Sequence, residues 1–130
     1  MEQSLTSIQV LVVDNDEPIR SLLVEWLEAH GANVTAVGTA QAALEALQAA
    51  PPDVLVSDLE MPDKDGLWLI AQVRKLAPEQ GGMTPAACLT GVAEPEIRAT
   101  LLRAGFQYHI AKPVKMDTLV GIVGLLALKP

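Results

Sequence analysis

Five times along the chain a short run rich in β-branched residues is followed within a few positions by a helix-like pattern, and this alternation limits the fold more than any other feature. Ile8 to Val13 is the first run, with the length of a strand buried on both faces. Asp16 stands where it can cap a helix, Pro18 falls in the first turn, and Ile19, Leu22, Leu23, Trp26 and Leu27 recur at helical spacing until Gly31. Asn33 to Val37 predicts a second strand. Thr39 caps an Ala-rich helix to about Ala49, which the Pro51-Pro52 pair breaks before a third strand at Val54 to Ser57. Asp58 to Asp65 reads as a polar loop and Gly66 to about Leu76 as the third helix. Gly81-Gly82 marks a turn. Pro85 to Leu89, Glu94 to Ala104, Gln107 to Ala111 and Asp117 to Leu128 complete the series as strand, helix, strand and helix. Met1 to Ser7 has no periodicity and is expected to be a loose, flexible tail, leaving residues 8–130 as a single domain.

Strands alternating with helices of this length pair in parallel through right-handed crossovers, with helices on both faces of the sheet. In such open sheets the binding crevice lies beyond the carboxyl ends of the strands. Asp14, Asn15 and Asp16 follow the first strand, Asp58 the third, Thr90 the fourth and Lys112 the fifth. Residues from four distant places therefore meet at one edge of the sheet.

Charge narrows what that edge can serve. The chain carries 16 Asp+Glu against 9 Lys+Arg, a formal charge of −7 in 130 residues, whereas a nucleic-acid binder needs a basic face. The longest apolar stretch, Leu119 to Leu128, has about half the length a bilayer demands. One cysteine, Cys88, cannot staple a secreted scaffold. A cytoplasmic protein bound neither to membrane nor directly to nucleic acid is the expectation.

Carboxylates gathered at one rim repel each other unless a cation lies between them, and hard oxygen ligands select Mg2+ or Ca2+ over zinc. A lysine and a hydroxyl at the same rim suit the oxygens of a phosphoryl group. A carboxylate can itself attack phosphorus, giving an aspartyl phosphate, and phosphoryl transfer asks mainly for positioning and charge neutralisation. The remaining polar residues have plainer readings: Asp16 as a helix cap, Asp53, Asp63 and Asp65 as solvated loop charges, Cys88 as an inert core thiol. Trp26 and Trp68 read as packing residues of their helices.

The segments Val12-Val13-Asp14-Asn15-Asp16, Asp58-Leu59-Glu60-Met61-Pro62-Asp63-Lys64-Asp65-Gly66, Leu89-Thr90 and Ala111-Lys112-Pro113 stand in this order on the fivefold pattern. With them the chain resembles the receiver domain of two-component response regulators over nearly all of Ile8 to Leu128. The resemblance implies a flavodoxin-like, doubly wound (βα)5 fold with parallel sheet order 2-1-3-4-5. It implies that Asp58 accepts a phosphoryl group from a histidine kinase or histidine phosphotransfer protein in a Mg2+-dependent reaction. Asp14, Asn15, Asp58 and Glu60 match the metal-binding positions, Glu60 through its backbone carbonyl. Thr90 and Lys112 match the residues that hold the phosphoryl oxygens. His109 falls in the place of the switch side chain that follows Thr90, with output through the fourth helix, fifth strand and last helix. The run from Gly105 to Pro113 looks most like receivers of hybrid histidine kinases.

Three positions depart from the family pattern. Asn15 stands where an acid is usual, which predicts weaker Mg2+ binding. His109 replaces the usual Tyr or Phe, and Gly91 replaces the usual alanine, suggesting a looser loop. The main reading is a signalling module that catalyses only its own phosphorylation and dephosphorylation. Asn15 also permits a degenerate receiver that binds partners without phosphorylation. An aspartyl-phosphate hydrolase is disfavoured, because Glu60 occupies the place of such an enzyme's second catalytic Asp. In the last helix, Leu119, Ile122, Val123 and Leu126 are expected to face the sheet. Val120, Leu125 and Leu128, with Gly121 and Gly124, would then form a second apolar face suited to a homodimer or to intramolecular docking.

Overall fold

The computed structural model describes residues 4–91 and 94–128. Strands β1 (Gln9–Val13), β2 (Asn33–Val37), β3 (Val54–Asp58), β4 (Ala86–Thr90) and β5 (Tyr108–Ala111) alternate with helices α1 (Glu17–Ala29), α2 (Ala40–Ala49), α3 (Gly66–Arg74), α4 (Pro95–Ala104) and α5 (Met116–Leu126). The strands form one parallel sheet in the order β2-β1-β3-β4-β5, the flavodoxin-like α/β arrangement. Among the described residues, no helix is long and apolar enough to cross a membrane.

Strand alternation divides the sheet between two cores. Val10, Val12, Val54, Val56, Leu89 and Ile110 pack with Leu23 and Leu27 of α1 and Leu119 and Val123 of α5. Leu11, Val13, Leu55, Ala86 and Cys88 pack on the other face with Leu47, Leu69, Ile70, Val73 and Leu101, from α2, α3 and α4. β3 and β4 are buried at every position, as expected of central strands in a doubly covered sheet.

The helix ends follow local chemistry. Asp16 caps α1 by accepting from the Ile19 N–H at 3.2 Å, and Thr39 caps α2 by accepting from the Ala42 N–H at 3.1 Å. α3 stops at Arg74, two residues before the expected end, and a single 3₁₀ turn at Pro78–Gln80 leads to Gly81 in a left-handed conformation. β3 and β4 each run one residue beyond the sequence expectation. Asp58 and Thr90 are thus ladder residues rather than loop residues, and the sheet itself fixes their direction.

Two expectations need correction. The expected loose tail does not extend over residues 4–7; its first three residues lie outside the described ones. Leu5 is fully buried in the α1/α5 core, and its N–H donates to the His30 carbonyl at 2.7 Å. One apolar side chain covering the amino end of that core outweighs the lack of periodicity around it. In α5, Val120 and Gly124 are buried rather than exposed, and Ile122 is only half-buried. The helix packs on β4, β5 and α1 together, so its buried stripe is wider than that of a helix lying on a sheet alone. Of the large residues expected on its outer apolar face, Leu125 is exposed, as is Leu128 just past its end, while Met116 is exposed in its first turn.

Candidate functional site

Parity along the strands determines which side chains meet at the carboxyl edge. Asp58 follows Val56 on the α1/α5 face, and one residue past β1 and β5, Asp14 and Lys112 follow Val12 and Ile110 onto the same side. All three line one cleft of about 550 Å3, together with Asn15, Asp16 and Glu60. The cleft continues as an apolar wing formed by Ile19, Leu22, Leu23 and Trp26 of α1 with Pro113 and Val114 of the β5–α5 loop. This wing was not foreseen from the sequence. In it Ile19 and Leu22, at helical spacing with core residues, are each more than a third exposed.

Asp58 is almost wholly buried, and one carboxylate oxygen accepts a hydrogen bond from Lys112 Nζ at 2.7 Å. Burial alone would lower the Lys112 pKa. The hydrogen bond and negative charge of Asp58, backed by Asp14 and Glu60, outweigh it and raise the value above the ordinary lysine range. The ammonium is therefore held charged beside the acid. Gly66 explains how α3 can begin so close. A Cβ there would lie 2.7 Å from the Asp58 carbonyl oxygen, nearer than any side chain can stand.

Asp14 is buried as well. Its Oδ1 accepts from the Asp16 N–H at 2.9 Å, while its Oδ2 is buried with no hydrogen-bond partner. Burial pushes its pKa up; the Asp16 amide opposes this, and the nearby charge of Asp58 adds to it. An orphaned buried carboxylate oxygen costs on the order of 1–3 kcal/mol, a deficit that a hard cation would remove. Among the described residues, no three His, Cys, Asp or Glu side chains gather as a ready cage for a metal. The amide at Asn15, where a further acid is absent, accords with that. Mg2+ needs only one or two carboxylates and keeps several waters, so the donor set fits it.

Thr90 and His109 do not line this cleft. Thr90 is buried at the end of β4 and follows Ala86 and Cys88 on the opposite face of the sheet. His109 is half-buried and pairs in register with Cys88, while Ala111 pairs with Thr90. Thr90 and His109 are therefore on one face, one rung apart in adjacent strands.

Asp16 is the helix cap the sequence suggested. Asp65 is not a solvated loop charge: its Oδ1 accepts from the Trp68 N–H at 2.9 Å and caps α3. Its place immediately before Gly66 and an apolar periodic run was the available signal. Asp53 accepts from the Gln9 N–H at 2.8 Å at the opposite end of the sheet. Lys64 stands 5.2 Å over the Trp68 ring, fixing the loop between β3 and α3 from outside. Burial raises the Cys88 thiol to about 12, consistent with an inert core residue.

The profile of the response regulator receiver domain family matches residues 10–124. An uncharacterized 14.6 kDa protein in the sodA1 3′ region of Leptolyngbya boryana is 42% identical over 121 residues, covering 93% of this chain and 91% of that protein. The sensor histidine kinase GacS of Pseudomonas protegens is 35% identical over 126 residues, which are 94% of this chain but 14% of GacS. The chain likewise spans a third or less of several other curated relatives. The fold superposes with a TM-score of 0.84, at 24% identity, on the receiver domain of the sensor histidine kinase PA1611 from Pseudomonas aeruginosa PAO1, solved with a magnesium ion coordinated in its active site cleft. The two chains are covered to 94% and 98%. Sheet order, the acidic edge and a profile match over most of the length agree, and the chain belongs to the response regulator receiver domain family of two-component signal transduction.

Proposed function

We propose that this domain accepts a phosphoryl group on Asp58 from a histidine kinase or histidine phosphotransfer protein. The observation that carries the reading is a buried Asp58 held by Lys112 at 2.7 Å, in the same cleft as an Asp14 carboxylate oxygen without a partner. An Asp58 oxygen attacks phosphorus, a P–O bond forms, and the P–N bond to the donor imidazole breaks with its electron pair leaving on nitrogen. Lys112 is placed to neutralise the phosphoryl oxygens as they arrive. Asp14, Asp58, the amide oxygen of Asn15 and the backbone carbonyl of Glu60 would hold Mg2+, which when bound supplies further charge neutralisation. The magnesium ion in the PA1611 receiver supports that choice of metal. The apolar wing on α1 gives a donor helix somewhere to rest beside the cleft, and the kinase GacS among the relatives supports a partner of that class.

Thr90 and His109 form the path away from the site in this reading. Drawing the Thr90 hydroxyl toward a phosphoryl oxygen changes the space beside His109, and the imidazole moves with it on β5. The α4-β5-α5 face carries the output.

Intact mass after incubation with acetyl phosphate tests the proposal. One phosphoryl adduct is expected with Mg2+, and none in EDTA or in Asp58→Asn. Folded protein that takes no adduct under any of these conditions would instead support a phosphorylation-independent interaction module, the reading that Asn15 permits.

A further inference from the structure

Asp14 is held at every polar point but one. Its N–H donates to the Val37 carbonyl at 3.2 Å, its Oδ1 accepts from the Asp16 N–H, and its backbone carbonyl accepts from Arg20 Nη1 at 2.8 Å. The one remaining oxygen, Oδ2, is the buried orphan of the cleft. Arg20 is half-buried, comes from the second turn of α1, and has no ion-pair partner among the described salt bridges. Its guanidinium has instead been spent on a backbone carbonyl. The carbonyl belongs to the peptide plane joining Asp14 to Asn15, so holding it restrains the backbone angles ψ of Asp14 and φ of Asn15 between the two side chains.

The β2–α2 loop meets the same guanidinium. A Cβ at Gly38 would lie 3.1 Å from Arg20 Nη1 and 4.0 Å from the Asp14 carbonyl oxygen. The first distance is tight enough that the guanidinium would have to give way by a few tenths of an ångström. Gly38 has no need of a left-handed conformation, so the missing side chain is explained by the room it leaves.

We propose that Arg20, seated in the space left by Gly38, is a positioning residue that aims the free oxygen of Asp14 and the side chain of Asn15 into the cleft. The proposal rests on the phosphoacceptor reading for its consequence, since the aimed oxygens are those that would meet Mg2+. Arginine suits the task better than lysine, because its planar fork places Nη1 on the carbonyl from a fixed direction. Loss of an outer partner of this kind typically weakens metal binding about tenfold or more.

Two measurements on the whole protein test it. In the metal-free protein, amide hydrogen exchange reports the bond from the Asp16 N–H to Asp14 Oδ1. Arg20→Ala is expected to speed exchange at Asp16 about tenfold more than at Leu27 in the middle of the core, and Gly38→Ala to act in the same direction by less. Exchange at Asp16 changing only in step with Leu27 would reduce Arg20 to a structural residue and overturn the proposal. Titration with MgCl2, followed through the fluorescence of Trp26 in the cleft wall, should then show a dissociation constant raised about tenfold in Arg20→Ala. A Leu5→Val control should leave it unchanged. An equal constant in Arg20→Ala and wild type also contradicts the proposal. Absence of any Mg2+ response in the wild type would overturn the metal reading alone, leaving the exchange measurement to decide the role of Arg20.

Discussion

Two titrating side chains, Asp14 and Cys88, test the site and the sheet separately. Burial raises Asp14 above the 3.8 of a free aspartate, so the folded state binds its proton more tightly than the unfolded chain does. The metal-free fold therefore loses stability as pH rises from 3.8 through the folded value, and at neutral pH the charged carboxylate is a standing cost. Asp14→Asn is expected to raise the metal-free thermal midpoint at pH 7 and to abolish any rise on adding MgCl2. Scanning calorimetry with and without the ion checks both. Cys88 works at the other end of the scale. Below pH 9 its thiol is protonated in both states; between 9.0 and about 12 the unfolded chain gives up the proton and the folded one keeps it. Stability must then fall as pH rises, and Lys112 adds to the fall only above 10.5. Urea midpoints measured at about pH 8 and pH 10 should drop in wild type and drop less in Cys88→Ala.

Among the elements, the segment before β1 carries a sharp prediction. Leu5 is fully buried in the same core as Leu27 and Leu126, and its backbone is tied to His30. Leu5→Ala is expected to cost about 2–4 kcal/mol, as for other buried leucines, measured by denaturant unfolding. A loss below about 0.5 kcal/mol would mean that the segment is loose after all. The sequence could not announce this, because a single leucine in a polar run has no period to detect. What it did announce were elements with a pattern: the strand at Val54 is an apolar run set off by the Pro51-Pro52 break, and the α1 stripe of Leu23 and Leu27 is read from helical spacing. Val120 shows the limit of that reading. Helical spacing placed it on an outer face, but α5 touches α1 as well as the sheet, and only the packed molecule reveals that second neighbour. Asp65 failed for another reason. Its capping geometry was legible, and the density of acids around it obscured the signal.

At the scale of the whole molecule, sheet order performs the assembly. β1 and β3 are neighbours at the centre, which brings Asp14 beside Asp58, and β5 carries Lys112 in from the edge. That convergence was legible from the parallel alternation together with the family resemblance, since each residue closes its own strand. The apolar wing was not, because it joins one side of α1 to the β5–α5 loop and neither sequence segment refers to the other. Nor was the role of Arg20, which acts through a backbone carbonyl and leaves no pattern of side-chain types. The wing and the acidic edge together form one continuous cleft, polar where phosphorus would arrive and apolar where its carrier would rest. The role of the whole cleft turns on which carboxylate takes the phosphoryl group. Borohydride reduction of the protein after acetyl phosphate and Mg2+ treatment, followed by peptide mass spectrometry, locates it directly by converting an acyl phosphate to an alcohol. Homoserine is expected at position 58 and nowhere else; reduction at Asp14 or Glu60, or unmodified Asp58 in protein that has gained the phosphoryl mass, would rule out Asp58 as the acceptor.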